Sequence, residues 1–467
     1  MKKSKSSVRE PTRDRLSELP DSLILKILGL LPMKDFVRTS ILSKRWENLW
    51  ATIPCLNFDY LTREISPERV RNIVNGVLRF WRGTKIVKFK IHLSSEIVES
   101  LVSDIDVWLR FAKENEVEVL CVDLMNSDGI YCVPQFLFSS CPSLKVLVLR
   151  GCSLCVPENV QWNNLRSLTI DGYRLTPHLM AKVLSGSPQL EVFILHVMES
   201  GENLRIQSSS LKMLCIEKFV YGDDGESSMD KGYAGDGPSM NTELAICTPN
   251  LGTLELSGIS YSKCSLLNVS SLTHATIGFY GDDLFTGTDV HEETLRQIFP
   301  TIQHVESVTL SDCCIKVLGA MEKKHLLSPL PNVKFLKLNG ILSEGEEIAG
   351  LLEIFPELKM LVIEDEDDER CEYHHRESLV FERNLPKSFL LQLRTVEVTW
   401  CWHEGDNSIF PFIQFLLKYA SKLEKMVFRL KGIMPPEQQP EYWFWGSQKV
   451  LKMPKSSRTA DIIFREY

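Results

Sequence analysis

A short pattern of apolar residues recurs through the middle of the chain. The clearest copy has apolar side chains at Leu144, Leu147, Leu149, Cys152 and Leu154. Leu147 and Leu149 stand two residues apart, which is the period of a β-strand with one buried face. Further clear copies start at Leu165, Leu190, Leu211, Leu251, Leu272, Val305, Val333, Leu358, Leu393 and Leu423, and weaker ones at Val87 and Val119. We therefore expect a series of short, similar strands.

The spacing of these strands is that of a repeat protein. Starts at 144, 165, 190 and 211 lie 21, 25 and 21 residues apart, within the roughly 20–29 residues of a leucine-rich repeat. Proline stands two residues before several starts, as at Pro142, Pro188 and Pro356. Because proline cannot donate to a sheet ladder, it belongs in a turn that precedes the strand. Apolar residues ahead of the proline favour a short helix.

The expected fold class is therefore α/β, in the form of an irregular solenoid. Each unit consists of a helix, a proline turn and a strand, and neighbouring units stack to give a parallel sheet on the concave side. An ordinary α/β domain is the alternative, but it does not explain so many similar strands with a proline before them.

A helical pattern, different from that of the repeats, lies near the N-terminus. Pro20 and Asp21 open the first helix and Pro32 ends it. Its apolar side chains fall on one face at helical spacing: Leu23, Ile24, Ile27, Leu28 and Leu31. Residues 34–39 predict a second short helix, and Ser43 is a plausible N-cap of a third.

This N-terminal stretch has more apolar surface than it can bury alone. Units of roughly 40 residues rarely fold without a metal, disulfides or a partner. The stretch has no histidine and no cysteine before Cys55. Either the rest of the chain covers the surplus, with the helices acting as a cap, or a partner protein does so.

Residues 14–60 resemble a plant-type F-box. The resemblance rests on motifs at fixed spacing: Leu19-Pro20, Ile27-Leu28, Leu31-Pro32 and Leu42-Ser43-Lys44-Arg45-Trp46 with Trp50. It implies a three-helix module that docks on a Skp-family adaptor, which in turn binds a cullin. The adaptor-binding residues that it implies are Leu19, Pro20, Leu23, Ile24, Ile27, Leu28, Leu31, Pro32, Trp46 and Trp50.

The rest of the chain resembles the leucine-rich repeats that follow F-boxes in plants, and then the FBD domain that ends many such proteins. The FBD resemblance rests on segments 393–398, 415–420 and 423–427. There the pattern predicts a strand at 393–400, a helix at 409–419 and a strand at 423–430. The expected domains are a basic tail (1–13), the F-box (14–60), a repeat solenoid (61–385), an FBD-like cap (386–432) and an irregular tail (433–467).

Composition and charge narrow the function classes. The chain has 467 residues, of which 44% are hydrophobic and 24% charged, as is typical of globular proteins with two or three domains. A net charge of -8 argues against nucleic-acid binding. No apolar run could span a membrane, and no secretory signal is recognisable. We expect a protein of the nucleus and/or cytoplasm whose 13 cysteines are reduced.

The sequence contains no recognisable catalytic constellation, and we expect a non-catalytic protein without a cofactor. Cys152 and Cys155 form a C-x-x-C motif, but a zinc site needs two further ligands, so core packing is favoured. The acidic run at 364–369 is interpreted as a solvated loop rather than a metal site. The segment rich in Gly, Ser and Asp at 221–241 is interpreted as a surface loop.

The F-box resemblance implies a substrate-recognition subunit of an SCF-type cullin ubiquitin ligase. In this hypothesis the F-box binds the Skp-family adaptor and the concave face of the repeats binds a target protein. A ligand sensor is one alternative, but its candidate cations are scattered: Arg205, Lys334, Lys337 and Arg394. The other alternative is a scaffold that binds the adaptor without driving degradation.

Overall fold

The computed structural model consists of two compact units, Met1–Gly172 and Tyr173–Tyr467. The structure describes residues 18–30, 39, 45–46, 49, 51–61, 65–83, 85–124, 130–172, 176–197, 203–218, 243–258, 261–279, 288–323, 328–340, 351–364, 389–401, 409–431 and 439–466.

The first unit combines helices with parallel strands. Its helices are α1 (Asp21–Leu30), α2 (Pro67–Phe80) and α3 (Ser95–Glu114). Its strands are β1 (Cys55–Leu61), β2 (Lys88–Leu93), β3 (Val119–Asp123), β4 (Tyr131–Cys132), β5 (Val146–Arg150), β6 (Cys152–Ser153) and β7 (Ser167–Gly172). Strands β1, β2, β3, β5 and β7 pair in this order, all parallel. Strands β4 and β6 form a separate parallel pair.

The second unit also combines helices with parallel strands. Its helices include α4 (Pro177–Ser185), α5 (Thr288–Ile298), α6 (Asp312–Lys323), α7 (Ile409–Tyr419) and α8 (Gln439–Leu451). Its strands are β8 (Val192–Val197), β9 (Leu204–Gln207), β10 (Met213–Lys218), β11 (Glu243–Cys247), β12 (Thr253–Ser257), β13 (Lys263–Leu267), β14 (His274–Ile277), β15 (Ser307–Ser311), β16 (Phe335–Asn339), β17 (Met360–Glu364), β18 (Thr395–Cys401), β19 (Lys425–Lys431) and β20 (Asp461–Glu466).

Its main sheet is parallel throughout. The strand order is β8, β10, β12, β14, β15, β16, β17, β18, β19 and β20. Strands β9, β11 and β13 form a second parallel sheet with β11 at its centre. The α/β class and the parallel stacking expected from the sequence are confirmed.

The predicted repeat strands are confirmed as well. Each clear start lies two residues before a strand, as Leu144 does before β5. Within β5, Leu147 and Leu149 are buried and the residues between them are half-buried. Adjacent units are joined by the same backbone hydrogen bond. The residue after the first apolar residue of a repeat donates its amide to a carbonyl of the preceding unit. For example, the N–H of Arg166 donates to the carbonyl of Lys145 at 2.8 Å.

Where a proline precedes the strand, it occupies a tight turn, as predicted. The carbonyl before Pro142, that of Cys141, accepts from the amide of Leu144 at 3.1 Å. The turns before β8 and β12 have the same bond, at 3.1 Å and 3.2 Å. Proline is favoured at the second position of such a turn because its ring fixes φ. The sequence pattern is therefore a turn followed by a buried leucine and a strand.

The outer layer differs from the prediction of one helix per unit. In the first unit, α2 and α3 pack together, and the Trp108 indole of α3 donates to Asn75 Oδ1 of α2 at 2.7 Å. In the second unit, strands β9, β11 and β13 stand between α4, which contacts β9, and α5, which contacts β13. The prediction is wrong for these repeats. Their outer segments bury alternate residues, such as Leu204 and Ile206, and this is the period of a strand.

The expectation of an irregular tail after residue 432 is wrong for its described part, 439–466. Helix α8 precedes β20, which pairs in parallel with β19. Phe464 of β20 stacks on Phe428 with ring centroids 5.2 Å apart. The sequence pattern did not indicate this unit. Ser457 and Thr459 lie four and two residues before the strand, at positions where other repeats have proline and leucine. The predicted strand, helix and strand of the FBD-like segment are confirmed as β18, α7 and β19, whereas the domain boundaries stay predictions.

The sheet of the first unit begins inside the predicted F-box stretch. Strand β1 starts at Cys55, which is in register with Lys88 of β2. The residues before β1 are also hydrogen-bonded to the unit. The Trp81 indole donates to the carbonyl of Ile53 at 2.9 Å, and the amide of Val87 donates to the carbonyl of Pro54 at 2.7 Å. The end of the predicted F-box is thus part of the repeat sheet.

Candidate partner-binding sites

Helix α1 divides its apolar side chains between two faces. Ile24 and Leu28 are 0% and 1% exposed, whereas Leu23 and Ile27 are 44% and 36% exposed. Residues four apart lie one above the other on a helix, so each pair forms its own stripe. The sequence pattern placed all four on one apolar face. The structure shows that only one stripe is buried.

The start of α1 is fixed by backbone bonds and by an arginine from later in the chain. The carbonyl of Pro20 accepts from the amides of Leu23 and Ile24 at 2.9 Å and 3.1 Å. Arg45 donates through Nε to Asp21 Oδ1 at 2.9 Å and through Nη2 to the carbonyl of Leu19 at 2.6 Å. Its Nη2 also contacts the Asp21 carboxylate. Arg45 therefore joins the segment of Trp46 to the N-terminus of α1.

Arg45 and Asp21 were missing from the predicted site residues. Arg45 lies in the run that carries the F-box resemblance, and this was its only sequence signal. Asp21 was recognised for its position at the helix start, where a carboxylate is favourable. Their ion pair joins residues 24 positions apart, and no local spacing rule indicates such a pair.

The structure distributes the predicted adaptor-binding residues among three environments. Pro20, Leu23 and Ile27 are exposed, and we call these three residues the docking face. Leu19 is half-buried. The buried members are Ile24, Leu28 and Trp46. Leu31, Pro32 and Trp50 lie outside the described residues, as do Ser43 and all of 34–39 except Thr39. The role of these residues in adaptor binding stays a prediction.

The second candidate surface is the face of the second unit's main sheet that carries the half-buried residues. We call it the open face. Side chains alternate along a strand, so this face lies opposite the buried leucines. On β8 and β10 it carries the apolar residues Val192, Ile194, Met213 and Cys215, and then His196 and Glu217, whose side chains lie 3.6 Å apart. On β12, β14 and β15 it carries hydroxyl groups at Thr253, Ser257, Thr276, Ser307, Thr309 and Ser311.

The cations considered for a ligand sensor do not converge on the open face. Lys337 of β16 pairs with Glu364 of β17. Lys334 and Arg394 bind Glu306 and Glu424 respectively, each at 2.6 Å, just before the strands. Arg205 belongs to β9 in the second sheet. Three of the four cations thus neutralise a carboxylate of a neighbouring repeat, and the fourth lies in another layer.

Within the described part of the chain, the C-x-x-C motif does not belong to a group of metal ligands. Within the described ranges, no group of three or more His, Cys, Asp or Glu residues is arranged to hold a metal ion. The Cys152 thiol is buried and donates to the carbonyl of Arg150 at 3.3 Å, whereas Cys155 is exposed. Residues 221–241 and 365–369 lie outside the described residues. None of the described helices is long and apolar enough to cross a membrane.

Two family models match the chain. The F-box domain model matches residues 16–57, which include α1, Arg45 and the start of β1. The model of the leucine-rich repeats of FBD-associated F-box protein At5g56370 matches residues 105–229, which include the strands from β3 to β10. The matched segments agree with the helical module and with the repeats that the structure contains.

Relatives from Arabidopsis thaliana match most of the chain. F-box/LRR-repeat protein At5g02910 is 26% identical over 89% of this chain and 88% of its own length. F-box/FBD/LRR-repeat protein At5g56420 is 25% identical over 97% of this chain and 99% of its own length. The similarity therefore extends from the helical module to the C-terminal repeats. Over most of its length, the chain is similar to plant F-box/LRR-repeat and F-box/FBD/LRR-repeat proteins.

Proposed function

We propose that this chain is the substrate-recognition subunit of an SCF-type cullin ubiquitin ligase and is not itself an enzyme. The observation that carries the proposal is the exposure of Leu23 and Ile27 on α1, within the segment that matches the F-box model. A Skp-family adaptor covers this docking face and links the chain to a cullin. The ligase then accelerates ubiquitin transfer by holding the target near the charged enzyme.

The docking face can contribute useful binding energy. Fully burying a leucine or isoleucine side chain contributes about 1.5–3 kcal/mol. Leu23 and Ile27 still expose about two fifths of their surface, so covering them contributes roughly 1 kcal/mol each. Association also costs translational and rotational freedom. We therefore expect these two side chains to act together with further contacts of the F-box module.

Introducing charge on the docking face tests the adaptor contact. In the full-length double variant Leu23→Glu/Ile27→Glu, two carboxylates would have to be buried in the interface without partners, at a large desolvation cost. We expect affinity for a purified Skp-family adaptor to fall at least about 100-fold, since each ~1.4 kcal/mol is a factor of ten. Surface plasmon resonance with immobilised adaptor gives the two dissociation constants.

Val107→Glu is the matched control for this experiment. Val107 is 60% exposed on α3, outside the segment that matches the F-box model. We expect wild-type affinity for this variant. Thermal unfolding of all three proteins shows whether the double variant keeps its fold. Adaptor binding that persists undiminished in a folded double variant would contradict the proposed docking face.

The proposal assigns target binding to the open face of the second unit. The apolar side chains of β8 and β10 lie beside the hydroxyl-bearing strands β12, β14 and β15, and this combination suits a protein surface with both apolar and polar groups. As part of the same proposal, we place the protein in the nucleus and/or cytoplasm. Imaging a fluorescent fusion of the full chain tests the location.

A further inference from the structure

Two cysteines that are distant in sequence lie side by side in the first unit. Cys132 ends β4, and its Cα is in register with that of Ser153 in β6. The ladder continues beyond it, because the amide of Val133 donates to the carbonyl of Ser153 at 2.9 Å. Cys155 follows two residues after Ser153. The β4–β6 pair thus brings Cys155 to Cys132, although the C-x-x-C motif had associated it with Cys152.

The two thiols are near neighbours. Cys155 influences the pKa of the Cys132 thiol through both its side chain and its backbone. Both residues are exposed and neither forms a disulfide. Partial burial and the hydrogen bond with Cys155 raise the pKa of Cys132 to about 11. At neutral pH Cys132 is therefore held as a thiol beside its neighbour.

We propose that Cys132 and Cys155 form a reversible disulfide when the chain meets a peroxide. This is a site of oxidative modification separate from the docking face and the open face. A disulfide needs its sulfur atoms about 2.05 Å apart, which is closer than hydrogen-bonded thiols lie. Exposed side chains can approach by rotating about χ1, since solvent leaves their rotamers free.

The chemistry balances with one peroxide molecule for each disulfide. One thiol, after losing its proton, attacks the peroxide: an S–O bond forms, the O–O bond breaks and water leaves after protonation. The second sulfur attacks the resulting sulfenic acid, so that an S–S bond forms, the S–O bond breaks and a second water leaves. The two thiols lose two electrons and two protons in total, and a dithiol reductant reverses the change.

The neighbouring cysteines are less suited to this reaction. Cys152 is 2% exposed and its thiol donates to the carbonyl of Arg150. Cys121 is also buried. Oxidation by a dissolved peroxide requires access to the sulfur atom. Cys132 and Cys155 combine access with an adjacent partner thiol.

Peptide mapping of the full chain tests the proposal. The chain is treated with hydrogen peroxide, its remaining thiols are blocked with N-ethylmaleimide, and proteolytic peptides are analysed by mass spectrometry. We expect a cross-linked peptide pair that contains Cys132 and Cys155, two hydrogens lighter than the sum of the reduced peptides. We expect dithiothreitol to remove the link, and Cys132→Ser and Cys155→Ser each to abolish it.

A matched variant and a second reagent complete the test. Cys141→Ser changes a half-buried cysteine of the same unit and should leave the link intact. Phenylarsine oxide bridges adjacent thiols without oxidation, so one arsenical should join the two peptides in the wild type and in neither single variant at this pair. An arsenical bridge without a peroxide-dependent disulfide would overturn the proposal. Preferential linkage of either cysteine to Cys152 would also overturn it.

Discussion

Helix α1 and the repeat strands use the same apolar residue types but cover them in different ways. In β5, Leu147 and Leu149 are 0% and 1% exposed, because neighbouring repeats and the outer layer cover them. In α1, only the stripe of Ile24 and Leu28 is covered, and Leu23 stays exposed. The repeats therefore supply their own neighbours, whereas the helical module keeps apolar surface available for another protein.

The largest effect expected from this comparison is a difference between two leucines. Leu147→Ala should lower the free energy of unfolding by about 2–5 kcal/mol, because it removes buried methyl groups and leaves a cavity. Leu23→Ala should lower it by less than about 1 kcal/mol, since much of that side chain already contacts solvent. Urea denaturation followed by circular dichroism measures both. Equal losses would show that α1 is as fully packed as the repeats.

A smaller effect is expected at the repeat that contains β20. It tests whether this repeat contributes to the stability of the stacked sheet. The buried Ser457 hydroxyl donates to the carbonyl of Leu423 at 2.6 Å. Ser457→Ala should cost about 1–3 kcal/mol, because it removes a buried hydrogen bond. In Ser447→Ala the lost bond, to the carbonyl of Phe444, is exposed, so we expect almost no change. Similar melting temperatures for the two variants would argue against a structural role of the last unit.

The smallest effect concerns an ion cluster between successive repeats. Glu118 accepts from Lys145 at 2.7 Å and from Lys85 at 2.6 Å. These hydrogen bonds, that of Lys145 first, lower the pKa of Glu118 from 4.5 to about 2. The pKa of Glu118 is lower in the folded state than in the unfolded state. The stabilisation that ionised Glu118 gives the fold is therefore complete above pH 4.5 and is lost as pH falls from 4.5 towards 2.

Comparison with Glu118→Gln separates the contribution of Glu118 to stability from that of the other carboxylates. The wild type should melt slightly above the variant at pH 6, and the difference should shrink between pH 4.5 and pH 2. Salt should reduce it as well, because the partners are partly solvent-exposed. A difference in melting temperature that is constant over this pH range would exclude the predicted titration. Differential scanning fluorimetry gives the required series.

The sequence predicts the main strands well because their signal is local. A turn proline, a buried leucine and two alternating leucines fix both the position and the inward face of β5. The outer strands β9, β11 and β13 are harder to predict, because four or five alternating residues resemble many surface segments. Strand β20 is harder still, since Ser457 and Thr459 replace the usual proline and leucine.

The candidate site was only partly predictable for a different reason. Helical spacing identifies Leu23, Ile24, Ile27 and Leu28, but both stripes satisfy it. Which stripe is covered depends on tertiary neighbours. The contact of Arg45 with Asp21 depends on the same neighbours, because it joins separate helical segments. Periodicity therefore identifies the apolar surface of the module, and only the fold distinguishes its core from its docking face.

The last strand also bears on aggregation. A stack of parallel strands has no intrinsic end, and an unpaired edge can add a strand from another molecule. Among the described strands, β20 pairs only with β19. It holds the apolar run Ile462, Ile463 and Phe464 between charged residues, of which Asp461 and Arg465 are exposed. Charges at an edge disfavour the addition of a further strand. The charges on this edge strand of the described sheet thus also hinder head-to-tail growth into fibres.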